Sequence, residues 1–392
     1  MQPLIYLDNN ATTQPAPEVV EAMLPYLSQA WGNPSSMHAF GGSVARPVAQ
    51  ARETVAAFLG AERPEEILFE GCATEADNHA IFGVTSAWGQ PGTVITSRVE
   101  HPAVLGPCLR LREQGHNVIE IGVNGEGLFD MEAYAAALEA TPGPKLVSVM
   151  WANNETGVIF PIRQIAEMGK AAGATVHTDA VQAAGKLPID VSTVPVDLLT
   201  IAGHKMHAPK GIGVLYVRRG TRLKPLVLGG HQERGRRGGT ENVPYIIGMA
   251  KACELATAAL TDGSENRIMY LRDKLEAGLL ATCPDSRVNG CRDRNCRVPN
   301  TLNISFEYIE GESVLYHLSD RGICASSGSA CAAGSLEPSH VIRAMGVPFT
   351  AVHGSIRFSL SRYTTEEEID LTLRHVPEVV AEMRALSPFV KR

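Results

Sequence analysis

The 392-residue sequence predicts an α/β fold: a large domain built on a mostly parallel sheet, followed by a smaller α+β domain. Three observations lead there. The chain exceeds the ~250–300 residues at which single hydrophobic cores stop growing. Seven short apolar runs recur up to Val217, with helical patterns between several of them, as expected for parallel strands covered by helices on both faces. At Thr261-Asp262-Gly263-Ser264 the order changes, and this turn-rich run is the best domain boundary.

The first helix is expected to begin near Pro17, with Val20, Met23, Leu24 and Leu27 as its apolar face and Pro25 bending or ending it. A second follows Gly41-Gly42 and carries the stripe Val44, Val48, Ala51, Val55 and Phe58. The strand candidates are 67–69, 93–96, 118–121, 146–150, 175–177, 198–201 and 213–217. Beyond the boundary come a helix over 267–280, a strand over 301–306, a helix over 311–318, a Gly/Ser/Ala-rich loop and a strand over 356–360. The last helix opens on Thr365 with Glu368 three residues on, a capping-box spacing, and Pro377 is expected to divide it.

Composition narrows the function classes. Hydrophobic residues make 44% and charged residues 20%, and the formal charge is −7. An acidic whole argues against a general nucleic-acid binder. The start, MQPLIYLDNNATT, lacks a basic region followed by an apolar run, and no apolar stretch nears the ~20 residues of a membrane span. A cytoplasmic protein is expected, with its eight cysteines as thiols. Cys291 and Cys296 are too isolated to argue a zinc site, and no stable metal site is expected.

In open parallel sheets ligands sit beyond the carboxyl ends of the strands, where Thr74, Asn153-Asn154, Asp179, His204 and Lys205 fall. In IAGHKMHAPKGIGVLYV, Lys205 at a strand-to-loop junction could form a Schiff base with an aldehyde cofactor; a solvated lysine is the plain alternative. In VHTDAVQAAGKLPID, Asp179 ends a strand that should be buried and so needs a partner, which a protonated pyridine nitrogen would be; a capping role is the alternative. Gln182 shares its side if a helix starts there. GCATEADNHAI places Thr74 at a helix start suited to an anion. The run GGHQERGRRGGTEN offers Arg234, Arg236, Arg237 and Thr240 to a phosphate, a carboxylate or solvent. GICASSGSACAAGSLEPSH is a small-residue, polar loop, and Cys331 within it has a stronger claim to reactivity than Cys324, which sits nearer apolar residues. Arg357, inside the apolar strand SIRFSL, demands a partner such as a substrate carboxylate.

Taken together, these segments resemble the cysteine desulfurases of the NifS/IscS type, fold-type I pyridoxal-phosphate enzymes, along essentially the whole chain from YLDNNATT to RFSLSRYTTEEEID. The long SSGSAC loop leading into SLEPSHVIRAMG is unlike the shorter loop of the SufS and selenocysteine-lyase branch. The wording of GICASSGSAC and HGSIRFSLSRYTTEEEID is most similar to NifS, and the extended tail of IscS is missing.

The resemblance implies a large cofactor-binding domain over 16–260 with a seven-stranded sheet and a small domain over 261–392, with residues 1–15 associated with the latter. It implies that L-cysteine and an acceptor thiol yield L-alanine and a persulfide, through aldimine and ketimine stages. Lys205 would hold pyridoxal 5'-phosphate, Asp179 would pair with the ring nitrogen and Gln182 with the ring hydroxyl, and His101, in SRVEHPAV, would stack on the ring and assist proton transfer. Thr74 and His204 would hold the phosphate, and Thr240 would reach it in the other subunit of a homodimer. Asn154 and Arg357 would position the substrate carboxylate, and Cys331 would be the nucleophile, passing sulfur to an iron–sulfur scaffold or other acceptor protein and meeting an iron–sulfur cluster only transiently. Sulfur supply for nitrogenase metalloclusters is the expected role, with a housekeeping IscS-type donor, a selenocysteine lyase or an aminotransferase as alternatives. Three positions depart from the family pattern: Ala202 for a phosphate-binding serine, and Ala208 and Cys72 for glycines.

Overall fold

A computed structural model describes residues 4–327 and 337–388. The elements are β1 (Ile5–Tyr6), α1 (Pro17–Ser28), α2 (Ala39–Leu59), β2 (Ile67–Glu70), α3 (Ala73–Ala87), β3 (Thr93–Ser97), α4 (Pro102–Glu113), β4 (Asn117–Ile121), α5 (Met131–Ala140), β5 (Lys145–Ser148), α6 (Ile162–Ala171), β6 (Thr175–Asp179), β7 (Leu198–Ala202) and β8 (Gly213–Val217). They continue with α7 (Val243–Ala259), α8 (Ser264–Thr282), β9 (Ser286–Val288), β10 (Thr301–Phe306), α9 (Gly311–Asp320), β11 (Ile323–Cys324), α10 (His340–Ala344), α11 (Phe349–Val352), β12 (Ser355–Ser359) and α12 (Glu366–Leu386).

Seven strands form the main sheet in the order β2-β8-β7-β6-β5-β3-β4. Only β8 runs against its neighbours, so the sheet is mostly parallel, as the alternation of strands and helices predicts. Every residue of β7 and β8 is buried, which explains why these strands read as continuous apolar runs rather than alternating ones. On one face Ile81 and Val84 of α3 and Val104 and Leu111 of α4 pack with Leu68, Val94, Leu146, Leu198 and Leu215. The other face carries the largest apolar cluster, which includes residues of α1, α2, α6 and α7.

A second, antiparallel sheet has the order β12-β10-β9. Its core joins Leu302, Ile304, Phe306, Ile356 and Phe358 to Leu275 and Leu279 of α8 and to Val376, Val379 and Val380 of α12. Ile5 and Leu7 are buried in the same cluster, and β1 pairs in parallel with β11. Among the described residues no single helix is long and apolar enough to cross a membrane.

Three local expectations are corrected. In α1 the buried residues are Val19 and Met23, whereas Val20, Leu24 and Leu27 are 44%, 54% and 56% exposed. The helix carries two adjacent apolar stripes, and α7 selects the first by offering Gly248, where an added Cβ would stand 2.7 Å from Met23 Sδ. Pro25 does not end α1, which continues to Ser28. Nor does Pro377 divide α12, which runs unbroken from Glu366 to Leu386. Proline removes one hydrogen bond, but Ile369 and Thr372 before it and Val379, Val380 and Met383 after it are all buried, and this packing holds one helix together. The capping box is present, with Glu368 N–H donating to Thr365 Oγ1 at 3.2 Å and Thr365 N–H to Glu368 Oε2 at 2.8 Å.

At the start of β12 the backbone passes so close to β10 that a Cβ on Gly354 would stand 2.0 Å from the Phe306 carbonyl oxygen. Gly354→Ala is therefore expected to destabilise the protein by about 1–3 kcal/mol or more, read as a lower denaturant midpoint; an unchanged midpoint would contradict this packing.

Candidate active site

The carboxyl ends of the parallel strands β2, β3, β5, β6 and β7 open into one cleft of about 490 Å³, within the range of small-molecule sites. Its lining brings together most of the residues picked out from the sequence: Thr74, His101, Asn154, Asp179, Gln182, His204, Lys205 and Arg357. It also contains Asn10, Asp77, Glu155 and His340, which sequence reading did not select.

Lys205 ends the short turn Gly203–Lys205 that follows β7. Its Nζ donates to the main-chain carbonyls of Asn10 at 2.5 Å and Ala11 at 2.8 Å. Asn10 is a junction. Its carbonyl also accepts from Gln182 Nε2 at 3.0 Å, and its Oδ1 from Lys186 Nζ at 3.1 Å and Asn300 Nδ2 at 3.0 Å. Its Nδ2 donates to Asn154 O and Thr301 Oγ1, and its N–H to Ser359 Oγ. Gln182 Oε1 in turn accepts from Lys186 Nζ at 2.5 Å. Burial first, then Lys205 and Arg357, holds Lys186 well below the usual lysine range.

Asp179 is the last residue of β6, and one of its oxygens accepts from Val181 N–H at 2.9 Å. Burial pushes its carboxyl up to about 6, against the lowering effects of that hydrogen bond and of Lys205. Asp77, on α3, is pushed well up by burial and then by Asp179. Behind them His177 Nδ1 lies 2.9 Å from Ser148 Oγ and Nε2 3.1 Å from Thr200 Oγ1. Burial lowers His177 to about 3, so the ring is neutral at pH 7. Glu100 Oε1 accepts from Ser97 Oγ at 2.5 Å and Met150 N–H at 3.0 Å, and burial pushes Glu100 up to about 8.

His101 caps α4, its Nδ1 accepting from Ala103 N–H at 3.1 Å. Burial, then Lys205 and His340, lowers it to about 4. The ring is therefore neutral at pH 7, and since Nδ1 accepts, the proton is on Nε2. His204, 3.2 Å from Thr12 Oγ1, is likewise lowered to about 4, by burial and then by Lys205.

Arg357 is 2% exposed. Its partner is Asp8, with Nη2 to Oδ1 at 2.7 Å, and Nη1 donates to Asn154 O at 2.9 Å. Thr240 is exposed and outside the cleft lining, but Arg237 in its loop ties that loop to the first turn of α3 through Glu75 at 2.8 Å. Cys331 lies outside the described residues. On either side of residues 328–336, Ser326 and Arg357 form a backbone bridge, while Ser339 Oγ donates to Glu155 at 2.5 Å and His340 Nε2 to Glu100 O at 2.9 Å. Cys324, partly exposed in β11, is raised by burial and by Asp8, which disfavours its thiolate.

Asn10 and Asp8 were legible only as part of YLDNNATT; nothing in spacing tells which polar residue of that run will sit at the junction. Glu100 and Asp77 give no sequence signal beyond lying beside His101 and Thr74.

These groups suit pyridoxal phosphate. The buried Asp179 carboxylate matches a protonated ring nitrogen, and Lys205 supplies an amine in the same cleft. Thr74 and the amino end of α3 face an anion's requirements, and β8 keeps room for that turn: a Cβ on Gly213 would stand 2.5 Å from the backbone of Cys72. Asp77 Oδ1, Asn154 Oδ1 and Arg357 Nε are buried without a hydrogen-bond partner among the described residues.

Residues 5–372 match the model of the class-V aminotransferases. The chain is 56% identical over 386 residues to a cysteine desulfurase of Trichormus azollae, covering 98% of this chain and 95% of that one. It is 54% identical over 385 residues to the cysteine desulfurase NifS of Azotobacter vinelandii, covering 98% and 94%. A solved NifS-like protein superposes with a TM-score of 0.89 at 36% identity, covering 97% of this chain and 100% of the other.

Folding favours the protonated form of Glu100. Its contribution to stability is full below the 4.5 of an ordinary glutamate and is lost as pH rises towards about 8. Glu100→Gln keeps the acceptor for Met150 and Ser97 and removes the ionisation. Between pH 5 and pH 8.5 the variant should gain on the wild type by at least about 1 kcal/mol, measured by denaturation at both pH values; a constant difference would contradict the assignment.

Proposed function

The chain belongs to the class-V aminotransferase family and, within it, to the cysteine desulfurases of the NifS/IscS type, and on that premise we propose how its residues divide the reaction. It is a pyridoxal-phosphate-dependent cysteine desulfurase. The observation that carries the assignment of roles is that Asp179 and Lys205 stand at the ends of adjacent strands and line one cleft.

Lys205 holds the cofactor, Asp179 pairs with its ring nitrogen, Gln182 with its hydroxyl, and Thr74 and His204 with its phosphate. When bound, pyridoxal phosphate supplies an electron sink for charge developing beside the substrate's amino group. Lys205 takes the Cα proton of L-cysteine at Nζ. His101, neutral and protonated on Nε2, hands on a proton at that atom. Arg357 and Asn154 position the substrate carboxylate, which shares Arg357 with Asp8 or takes its place. Cys331 thiolate attacks the substrate sulfur; the new S–S bond leaves a persulfide on Cys331, the C–S bond breaks, and the carbon skeleton leaves as L-alanine.

Further proposals rest on this reading. The protein acts as a cytoplasmic homodimer in which Thr240 reaches the partner's phosphate. The apolar stripe of Val20, Leu24 and Leu27, together with Trp31 at 68% exposure, supports an association surface. The sulfur goes to an iron–sulfur scaffold or other acceptor protein, most specifically for nitrogenase metalloclusters. The likeness of the Cys331 loop to NifS and the 54% identity to a protein of that name support this.

Cys331→Ala should bind cofactor and L-cysteine yet release no alanine and carry no persulfide. Cys324→Ala should keep a substantial part of both. Mass spectrometry after brief incubation with cysteine distinguishes them: added sulfur on Cys324, or normal alanine release by Cys331→Ala, would refute the choice of nucleophile.

A further inference from the structure

A second amine, partly buried, stands beside the cleft, and no step of the reaction uses it. β6 ends at Asp179, and the chain turns at once: Ala184 N–H donates to Ala180 O at 2.9 Å and Leu187 N–H to Ala183 O at 2.9 Å. These bonds each span one helical turn, and they put Gln182 and Lys186, four residues apart, on one side of the turn. Gln182 lines the cleft and Lys186 does not. We propose that Lys186 is a positioning residue for the desulfurase reaction: acting through Gln182 and Asn10, it holds the Gln182 amide with an N–H towards the cofactor's ring oxygen. The proposal rests on the pairing of Gln182 with that oxygen.

Donors and acceptors decide the orientation. Lysine Nζ carries at least two N–H groups in either protonation state, and here it donates to Gln182 Oε1 at 2.5 Å and to Asn10 Oδ1 at 3.1 Å. A main-chain carbonyl oxygen can only accept, and Asn10 O accepts from the other end of the same amide, Gln182 Nε2, at 3.0 Å. Flipped, the amide would set its oxygen against Asn10 O and its NH2 against the lysine donors. One N–H of Nε2 is thus spent on Asn10 O, and the second is left to the cleft. Asn10 is pinned in the same way: its Oδ1 also accepts from Asn300 Nδ2 at 3.0 Å, and its Nδ2 donates to Thr301 Oγ1 at 2.8 Å.

An amide held like this can donate to an oxygen in the cleft but cannot accept from one, so it favours the ionised form of that oxygen. Donation by Lys186 to Oε1 also polarises the amide and strengthens its remaining N–H as a donor. The arrangement is a poor one for stability alone. Burial and then the like charges of Lys205 and Arg357 act against the ammonium form of Lys186. A buried amine held by two neutral amides beside like charges costs more than an apolar side chain would.

The test reads the bound cofactor rather than turnover. The absorbance of the protein loaded with pyridoxal phosphate is titrated with pH, and the cofactor's dissociation constant is measured by reconstituting the apoprotein. Gln182→Ala removes the donor itself. It should raise the titration midpoint of the bound cofactor and weaken binding about three- to tenfold, as loss of one net hydrogen bond does. Lys186→Met should move both in the same direction by at least about half as much, and in the Gln182→Ala background it should change neither. Lys186→Gln, one atom too short to keep the bond, takes its place if Lys186→Met does not fold. A Lys186→Met protein with the midpoint and affinity of the wild type, beside a shifted Gln182→Ala, would overturn the positioning role and leave the pairing of Gln182 standing. Equal shifts from Lys186→Met with and without Gln182 would also overturn it, because the amine would then act directly through its charge. A Gln182→Ala protein that moves in neither measurement would overturn the pairing and the positioning role together.

Discussion

The site depends on one side chain and its main chain, those of Asn10. The segment around it lies between the carboxyl edge of the main sheet and the small sheet, and Asn10 spends every polar group on both. It touches Lys205, Gln182 and Lys186 on one side, Asn154 on a second, and Asn300, Thr301 and Ser359 on a third. A buried polar group must find partners or destabilise the fold, so these contacts fix the two sheets and the reactive lysine in a single arrangement. Asp8, two residues earlier, extends the same logic to Arg357.

Around that junction the electrostatics diverge in a useful way. Burial keeps His101 and His204 neutral, with lysines adding to the effect, while burial pushes Asp77, Asp179 and Glu100 towards protonation, with the Asp179 charge adding to it at Asp77 and Glu100. A cleft with reluctant anions at its base and an amine at its wall accepts a cationic ring nitrogen favourably, because that charge relieves Asp179. It also keeps His101 able to donate from Nε2 without carrying a charge of its own. Burial is the first cause of each of these shifts, and a cleft that gathers several such displaced groups suits acid–base chemistry.

Much of this was legible in the sequence. Each of the seven strands of the main sheet was expected within a few residues: β2, β3, β5, β7 and β8 are buried throughout and leave short apolar runs, and β4, though mostly half-buried, keeps Val118, Ile119 and Ile121. The residues at their ends, Thr74, Asp179, His204 and Lys205, do converge in one cleft. What was not legible depends on partners distant in the chain. Which stripe of α1 turns inward is decided by Gly248, more than two hundred residues away. The continuity of α12 through Pro377 is decided by packing on both sides of it. The two-residue strands β1 and β11 are too short to show a period, and the single bridge between Asp8 and Ser359 that sets Asp8 against the strand of Arg357 leaves no pattern at all. Arg357 was rightly expected to need an anion; the anion present is a residue of the chain itself.

Two lysines compete for the central role. Lys186 is partly buried and held well below the usual lysine range, which by itself favours a reactive amine, but it does not line the cleft that contains Asp179. Lys205 lines the cleft opposite Asp179. Borohydride reduction of the protein purified with pyridoxal phosphate, followed by peptide mapping, separates them. The account expects the pyridoxyl label on Lys205; a label on Lys186, or on any other lysine, would contradict it.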